Sequence, residues 1–453
     1  MKQSELSCTD LAPYLLLGDR IFIHTIIYLM YCFPSADEYT FSPPLMVVCG
    51  PEVSFITLWL HFYPRSSLND RLYMHDSMYV FLGGFMIWLL GCLGTKTVEE
   101  ESTCFVDSFP STSFVLLPEQ ERIQIHADTV SDGTDTWVVY NMPNDENQFE
   151  THLLALDCTG AIIWGPEHIM SDPGVNQTTP RIAVSGERIL VATHGDSGQG
   201  PHNLSIRIYI QSTEGEVLEN RIWDDPVEGV SAGNRWLPSV VGTKEGFWIA
   251  AAVAREDHFQ TAIQALDIDG QARGAAYWAG PDAYAVFPNI DAQGDSYVVA
   301  WETGEDSIQW VQGDIGGVLS DVQTIENSAA PRVLWEEGTP KVFAHQRSPT
   351  VVQLNGIDIS DFSYSHTPNA VRGDTTTLFM HYRIQSGTAN DLHYGVIRDD
   401  GAQLLDQVIA QEPPAAPYRP ALTHIVDDAY LLLWSEGNNP DFQLRAQFLS
   451  LEP

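Results

Sequence analysis

The stretch that decides the fold runs from Phe287 to Ser320 and reads FPNIDAQGDSYVVAWETGEDSIQWVQGDIGGVLS. It contains a short Pro-led strand, a Gly-Asp turn, an apolar strand ending in Trp, a polar loop, an alternating strand and a Gly turn. An apolar run of four to six residues between turn formers is typical of a buried strand, because a helix would need ten or more. The stretch is therefore predicted to form one small antiparallel sheet.

Variants of this pattern recur from about residue 123 to the C-terminus, each with a leading proline. These prolines are Pro180, Pro238, Pro288, Pro331, Pro368 and Pro420, and His126 takes their place in the first copy. Seven copies spaced about forty to fifty residues apart match the blade period of a β-propeller. The sequence predicts an all-β fold, a seven-bladed β-propeller. Six and eight blades stay open, because the copy from Pro331 to Ser360 is short.

The two ends of the repeat region predict how the ring closes. The last copy stops at Pro453, just after its third strand, and an isolated strand, TSFVLL, lies at Thr112–Leu117 before the first copy. Pairing this strand with the last blade would remove an exposed sheet edge. We therefore expect a strand-swapped closure and a propeller domain over residues 112–453.

The N-terminal region is a different kind of sequence, and we expect a hydrophobic region at 1–91 and an acidic tether at 92–111. An apolar run of signal-peptide length precedes Leu89-Leu90-Gly91-Cys92, which resembles the lipobox of bacterial lipoproteins. The resemblance implies lipidation of Cys92 and an extracytoplasmic protein, either membrane-anchored at the outer membrane or cell surface or secreted. Residues before about 70 are either an over-extended reading frame or an irregular membrane module of two or three spans.

The net charge limits the classes of binding partner, and the cysteines bear on the compartment. The chain has 22 Lys and Arg against 60 Asp and Glu, a formal net charge of −38. This charge argues against nucleic acid as a partner and against a membrane contact other than a lipid anchor. Two cysteines that remain in an exported chain, Cys104 and Cys158, could form one disulfide in an oxidising compartment.

Propeller geometry predicts which repeat positions share one end of the ring. The start of the first strand and the end of the second strand of each blade meet at the same axial mouth. Residues beside the leading proline and residues at the end of the second strand are therefore candidate ligand contacts. Aromatic faces with flanking amides and arginines suit sugars, peptides or carboxylates. The candidates are Tyr140, Arg181, His194, Asn289, Trp301, Arg332, His345, Asn369, His381 and Trp434. Packing between blades is the competing interpretation for the aromatic residues.

Acidic loops and histidines leave metal binding and catalysis open. Acidic pairs such as Asp145-Glu146 and Glu305-Asp306 follow the second strand in most copies and would favour a cationic ligand or Ca²⁺. His194, His345 and His381 could share a metal if equivalent positions converge near the axis. No catalytic residue stands out, and no cofactor other than Ca²⁺ is expected.

One segment resembles a known propeller family. In ALDCTGAIIW, Ala155, Asp157, Gly160 and Trp164 match the repeat signature of pyrroloquinoline-quinone-type propellers, which include a noncatalytic lipoprotein of outer-membrane assembly. The whole repeat region is similar to bacterial lipoproteins with Pro-led propeller repeats. The resemblance implies a monomeric binding or scaffolding module for an envelope protein, peptide or glycan. The alternatives are a polysaccharide hydrolase or lyase, and a structural partner in outer-membrane assembly.

Overall fold

The chain divides into two compact units, Met1–Glu100 and Glu101–Pro453. In the N-terminal unit the computed structural model describes only the five strands given below. In the second unit it describes residues 109–110, 112–118, 123–170, 175–196, 204–227, 230, 234–281, 283–336, 338–347, 350–360, 365–386, 389–410, 420–437 and 442–451. Cys92 and Cys104 lie outside the described residues, so lipidation and the pairing of Cys104 with Cys158 stay predictions.

The described strands of the N-terminal unit form two antiparallel sheets. The strands are Leu45–Cys49 (β1), Ser54–Leu58 (β2), Leu60–Phe62 (β3), Tyr79–Leu82 (β4) and Phe85–Trp88 (β5). β1 pairs with β2, and β5 lies between β3 and β4. The apolar run that we expected as a signal-peptide core therefore contains the β4–β5 hairpin. Among the described residues no helix is long and apolar enough to cross a membrane.

The second unit is a ring of seven antiparallel sheets, which confirms the predicted seven-bladed β-propeller. It opens with Phe114–Val115 (β6). Each blade is given from its innermost strand outward: blade 1 consists of Ile125–Ser131, Thr136–Pro143, Phe149–Leu156 and Ile162–Met170 (β7–β10), and blade 2 of Asn176–Ser185, Arg188–Asp196, Leu204–Ser212 and Val217–Ile222 (β11–β14). Blade 3 consists of Arg235–Thr243, Gly246–Ala254, Phe259–Leu266 and Tyr277–Trp278 (β15–β18). Blade 4 consists of Ala285–Gln293, Ser296–Thr303, Ser307–Asp314, Gly317–Val318 and Gln323–Glu326 (β19–β23).

Blades 5 to 7 complete the ring. Their strands are Ser328–Glu336, Thr339–Gln346, Val352–Leu354 and Ile357–Asp358 (β24–β27); Ser365–Arg372, Thr376–Ser386, Ala389–Arg398 and Gln403–Ala410 (β28–β31); Ala421–Val426, Ala429–Glu436 and Gln443–Ser450 (β32–β34). The short fifth copy is a genuine blade whose two outer strands have only 3 and 2 residues. The innermost strands contact one another in sequence, and β32 contacts β7 to close the circle.

The expected strand-swapped closure is present. β6 pairs antiparallel with β34, with Val115 opposite Arg445 and Phe114 opposite Ala446. The Leu116 N–H donates to the Leu444 carbonyl at 2.9 Å. The fourth strand of blade 7 therefore comes from the start of the domain, and pairing covers the edge that β34 would otherwise expose.

The core lies between the blades, because each blade is a sheet with both faces covered. Consecutive residues of a strand point to opposite faces, and in β20 they pack against opposite neighbours. Trp301 joins a cluster with Trp248 of blade 3, whereas Ala300 joins a cluster with Val333 of blade 5. A shift of one residue along a second strand therefore moves a side chain from one interblade core to the other.

The leading proline is not the start of the first strand but the centre of a bulge within it. In blades 1 to 6 the register between the first two strands shifts by one residue, because two residues of the first strand lie opposite one of the second, for example between Thr178 and Arg181. A proline has no N–H to give to the sheet, so a bulge tolerates it where regular pairing would not. In blade 1 the shift spans His126 and Ala127, so Ala127 occupies the proline position and His126 precedes it. The predicted equivalence of His126 with the prolines was wrong by one residue.

Candidate functional site

Four predicted mouth residues lie in the interblade cores instead. Tyr140, Trp301 and Trp434 belong to the clusters between blades 7 and 1, 3 and 4, and 6 and 7. His381 is fully buried and stacks on Phe379, with ring centroids 5.9 Å apart. The register of the sheets puts these four residues at one position of the second strand, where side chains point back toward the preceding blade. The structure brings none of the four to the surface of the mouth, because each covers the face of that blade.

His194 and His345 occupy the next position along the second strand and face the following blade. Opposite them in the sheets stand Thr178 and Ala329, the residues just before the bulge. His194 lies between blades 2 and 3, whereas His345 and His381 both belong to the interface between blades 5 and 6, so the three histidines do not share one interface. Among the described residues no group of three or more His, Cys, Asp or Glu side chains is placed to hold a metal ion.

The residues after the proline link most blades to the next, and three of the predicted contacts are among them: Asn289, Arg332 and Asn369. Asn289 Oδ1 accepts the Val333 N–H at 2.8 Å, and Asn369 Nδ2 donates to the Pro420 carbonyl at 2.8 Å. The Arg332 Nε–H donates to the carbonyl of Ala370 at 3.0 Å. Asp128 and Ser239 make the equivalent bonds to Ile182 and Ile290.

This ring of post-proline residues therefore has a structural role, since it pairs backbone groups that the bulges leave unpaired. Asn289 and Asn369 are buried in that role. Asp128, Arg181 and Arg332 are different, because their side chains stay half-buried.

The residues just before the bulge proline form the true inner rim of the mouth, and sequence reasoning missed them. Five of them are non-glycine residues with positive φ between 46° and 54°: His126, Thr179, Leu237, Phe287 and Ala330. Such a conformation costs on the order of 1 kcal/mol for each residue and is concentrated at functional sites. The residue type before each proline varies from blade to blade, so the only available signal was its fixed place in the repeat.

Aromatic side chains cluster where blades 2, 3 and 4 meet this inner rim. The Trp236 ring lies 5.9 Å from Phe259, 5.8 Å from Phe287 and 6.2 Å from His194, measured between centroids. Phe287 is 42% exposed although it is a large apolar side chain. We call Trp236, Phe259, Phe287 and His194 the mouth wall.

Hydrogen bonds fix the tautomer of His194. The Trp236 indole N–H donates to His194 Nε2 at 3.1 Å, and an indole nitrogen can only donate. The proton of the neutral ring is therefore on Nδ1, from which it donates to Thr179 Oγ1 at 2.7 Å. Burial is the main reason that the pKa of His194 falls to about 4, and the nearby His126 lowers it further. His194 is thus a neutral spacer that holds Trp236 against the bulge of blade 2.

Histidine 126 and an arginine lie beside the wall. Burial, followed by the charge of Arg181, lowers the pKa of His126 to about 4. Arg181 and His126 also contribute to the electrostatic environment of His194, so these three side chains share one side of the mouth. At neutral pH the two imidazoles carry no charge, and Arg181 supplies the positive charge of this side.

The outer rim of the mouth carries the acidic loops that the sequence predicted. Asp145, Glu146 and Glu305 are exposed there. Arg347 of blade 5 forms ion pairs with Glu302 and Asp306 of blade 4 across the interface between the two blades. An exposed ion pair of this kind contributes at most about 1 kcal/mol. The rim therefore presents mainly negative charge outside a less acidic interior.

A cleft of about 420 Å³ opens elsewhere, at the outer edge of blades 3 and 4. Tyr277 and Trp278 form one side, and the turn that contains Ile315 and Val318 forms the other. None of the predicted site residues lies in it.

The comparisons with known proteins assign this chain to no family. No family model matches the chain, and no curated protein matches it. Among solved structures, the chain is similar to a protein of unknown function from Dyadobacter fermentans, with 11% identity over 75% of this chain and 98% of that one and a TM-score of 0.48.

Two further similar structures are enzymes or parts of enzymes. Trypanosoma rangeli sialidase shares 9% identity over 72% of this chain and 55% of its own, with a TM-score of 0.45. The β-propeller domain of the Trilobed protease from Pyrococcus furiosus shares 12% identity over 74% of this chain and 99% of its own, with a TM-score of 0.43. The chain is a seven-bladed β-propeller by its strand pairing, and likenesses this distant carry no argument about activity.

Proposed function

We propose that this chain is a ligand-binding propeller that recognises its ligand at the axial mouth. The observation that carries the proposal is the mouth wall, and above all Phe287, which is 42% exposed. Phe287 also has a positive φ of 51° and contacts Trp236, and residues held in such a conformation are concentrated at functional sites. Propellers place such residues on rigid strands, so a ligand would meet a site that is already formed.

The ligand class follows from the chemistry of the wall. An aromatic ring buries a large apolar area against any flat apolar face, such as one side of a pyranose ring or an aromatic side chain. We therefore propose a glycan or a peptide with an aromatic residue as the ligand, which agrees with the envelope glycan or peptide expected from the sequence. The acidic outer rim would favour ligands or partners with a positively charged flank.

We also propose that the protein acts outside the cytoplasm, anchored through a lipid on Cys92. Cys158 is disulfide-bonded, and structural disulfides are typical of oxidising compartments. The proposed bond partner is Cys104. Mass spectrometry of the native protein tests both points: we expect a diacylglyceryl group on Cys92 and a Cys104–Cys158 peptide pair without reductant. A mature chain that retains residues 4–20 would contradict the anchor.

Binding can be tested with two neutral probes, methyl β-glucoside and N-acetylphenylalaninamide, in ligand-observed NMR titrations of the full chain. We expect at least one probe to bind the wild type, and Phe287→Ala to weaken that binding by about tenfold, because one aromatic contact is lost. Alanine is compatible with the backbone at this position, since Ala330 occupies the same place in blade 5 with a φ of 51°.

Leu319→Ala is the matched control. Leu319 is 71% exposed on blade 4, just after β22, far along the chain from the bulge. This variant should bind the probes like the wild type. If neither probe binds the wild type, or if Phe287→Ala and Leu319→Ala behave alike, the mouth wall is not a binding surface.

A further inference from the structure

Two arginines occupy equivalent positions on opposite sides of the ring of blades. Arg181 and Arg332 occupy the same position in their blades, directly after the bulge proline. Blades 2 and 5 are three places apart in a ring of seven, so the two innermost strands lie on opposite sides of the axis. Both side chains are half-buried, and the charge of Arg181 acts on Arg332.

Each guanidinium is held by a single backbone carbonyl. Arg332 Nε donates to Ala370 at 3.0 Å, and Arg181 Nη1 donates to Pro180 at 3.2 Å. Within the described part of the chain neither arginine has a carboxylate oxygen at ion-pair distance, whereas Arg347, Arg372 and Arg445 all do. Both arginines belong to the ring of post-proline residues of a chain with a net charge of −38.

The carboxylates near these arginines are already engaged with backbone groups. Asp128 accepts the Ile182 N–H at 3.2 Å, and Asp291 accepts the Trp335 N–H at 2.6 Å. Burial is the main reason that the pKa of Arg332 is lowered, while Asp128 and Asp291 act in the opposite direction. Burial also raises the pKa of Asp291. The donors of both arginines therefore remain for a further group.

We propose that Arg181 and Arg332 together bind an oxyanion, the carboxylate or phosphate group of the ligand that the mouth wall receives. Planar guanidinium groups match such anions with paired N–H donors. The inference rests on the proposed function, because Arg181 shares its side of the mouth with His194, which holds Trp236. The wall would receive the apolar face of the ligand, and the arginines would receive its charge.

Matched pairs of neutral and anionic probes test this proposal on the full chain. The pairs are N-acetylphenylalaninamide with N-acetylphenylalanine and methyl β-glucoside with its glucuronide, and phenyl phosphate serves as a second anion. We expect the anionic member of a pair to bind about tenfold more tightly than the neutral one. Arg181→Gln should remove that difference and leave the neutral probe unaffected. The choice between N-acetylphenylalanine and phenyl phosphate identifies the preferred oxyanion.

Arg181→Gln is the safer variant, because the hydrogen bond that it loses among the described residues is within its own strand. Arg332→Gln also loses the link to Ala370, so its folding is checked by its thermal midpoint. Arg347→Gln is the control, since it removes the same charge from the rim. Equal affinities for the two members of each pair, or an equal effect of Arg347→Gln, would overturn the oxyanion site. Failure of the neutral probes would instead count against the mouth wall.

Discussion

Trp301 and Phe287 belong to the same blade, 14 residues apart in sequence, and have opposite environments. Trp301 on the second strand is 1% exposed and packs against blade 3, whereas Phe287 in the bulge of the first strand is 42% exposed. Both are aromatic residues at fixed positions of the repeat. Their difference shows that the strand and the register decide whether a repeated aromatic residue supports the ring or faces a ligand.

Trp301→Ala should have the largest effect on stability. The side chain fills an interblade core, and its ring leaves so little room that a Cβ at Gly280 would lie 2.5 Å from Trp301 Cζ2. We expect a loss of about 3–5 kcal/mol in the free energy of unfolding, measured by urea denaturation. A loss below about 1 kcal/mol would mean that Trp301 is not a core residue and that the comparison with Phe287 fails.

The acid dependence of stability should be the next largest effect. The pKa of His194 is about 4 in the folded protein, below the 6.5 of an ordinary histidine, so acidification protonates His194 in the unfolded chain first. Stability contributed by neutral His194 is complete above pH 6.5 and is lost as pH falls toward 4. The loss is roughly 2–3 kcal/mol, and His126 adds to it in the same direction.

His194→Gln should flatten the stability profile in this window, measured as urea midpoints between pH 7 and 4.5. His168→Gln is the control, because the His168 side chain is 40% exposed on the outer strand of blade 1. Identical profiles for the wild type and His194→Gln would show that His194 is not a buried neutral group.

Asn289→Ala should have an intermediate effect. It removes the acceptor for the buried Val333 N–H and therefore one of the links between blades 4 and 5. An unpaired buried donor costs about 1–3 kcal/mol. Asn220→Ala, on an exposed outer strand, should change the urea midpoint little. If Asn289→Ala and Asn220→Ala are equally stable, the post-proline residues do not link the blades. They would then be candidate ligand contacts again.

The comparison also explains how much the sequence could predict. The seven blades and the closing strand were predictable, because turn formers, short apolar runs and a stray strand before Ile125 are local features of the chain. The residues that line the mouth were not predictable. A bulge places two residues of the first strand opposite one of the second, and it therefore shifts the pairing of every later residue. An error of one residue in aligning second strands then exchanges the two faces of a blade. Tyr140 and His194 were aligned with each other for this reason, although their side chains face opposite neighbours.

Phe287→Ala should have the smallest effect on stability, below about 1 kcal/mol, because the side chain is largely exposed and its contact with Trp236 is partial. The same variant is expected to weaken probe binding about tenfold. A combination of unchanged folding and lost binding is what separates a ligand contact from a packing residue. A destabilisation close to that of Trp301→Ala would place Phe287 in the core, and the mouth wall would then be an extension of interblade packing.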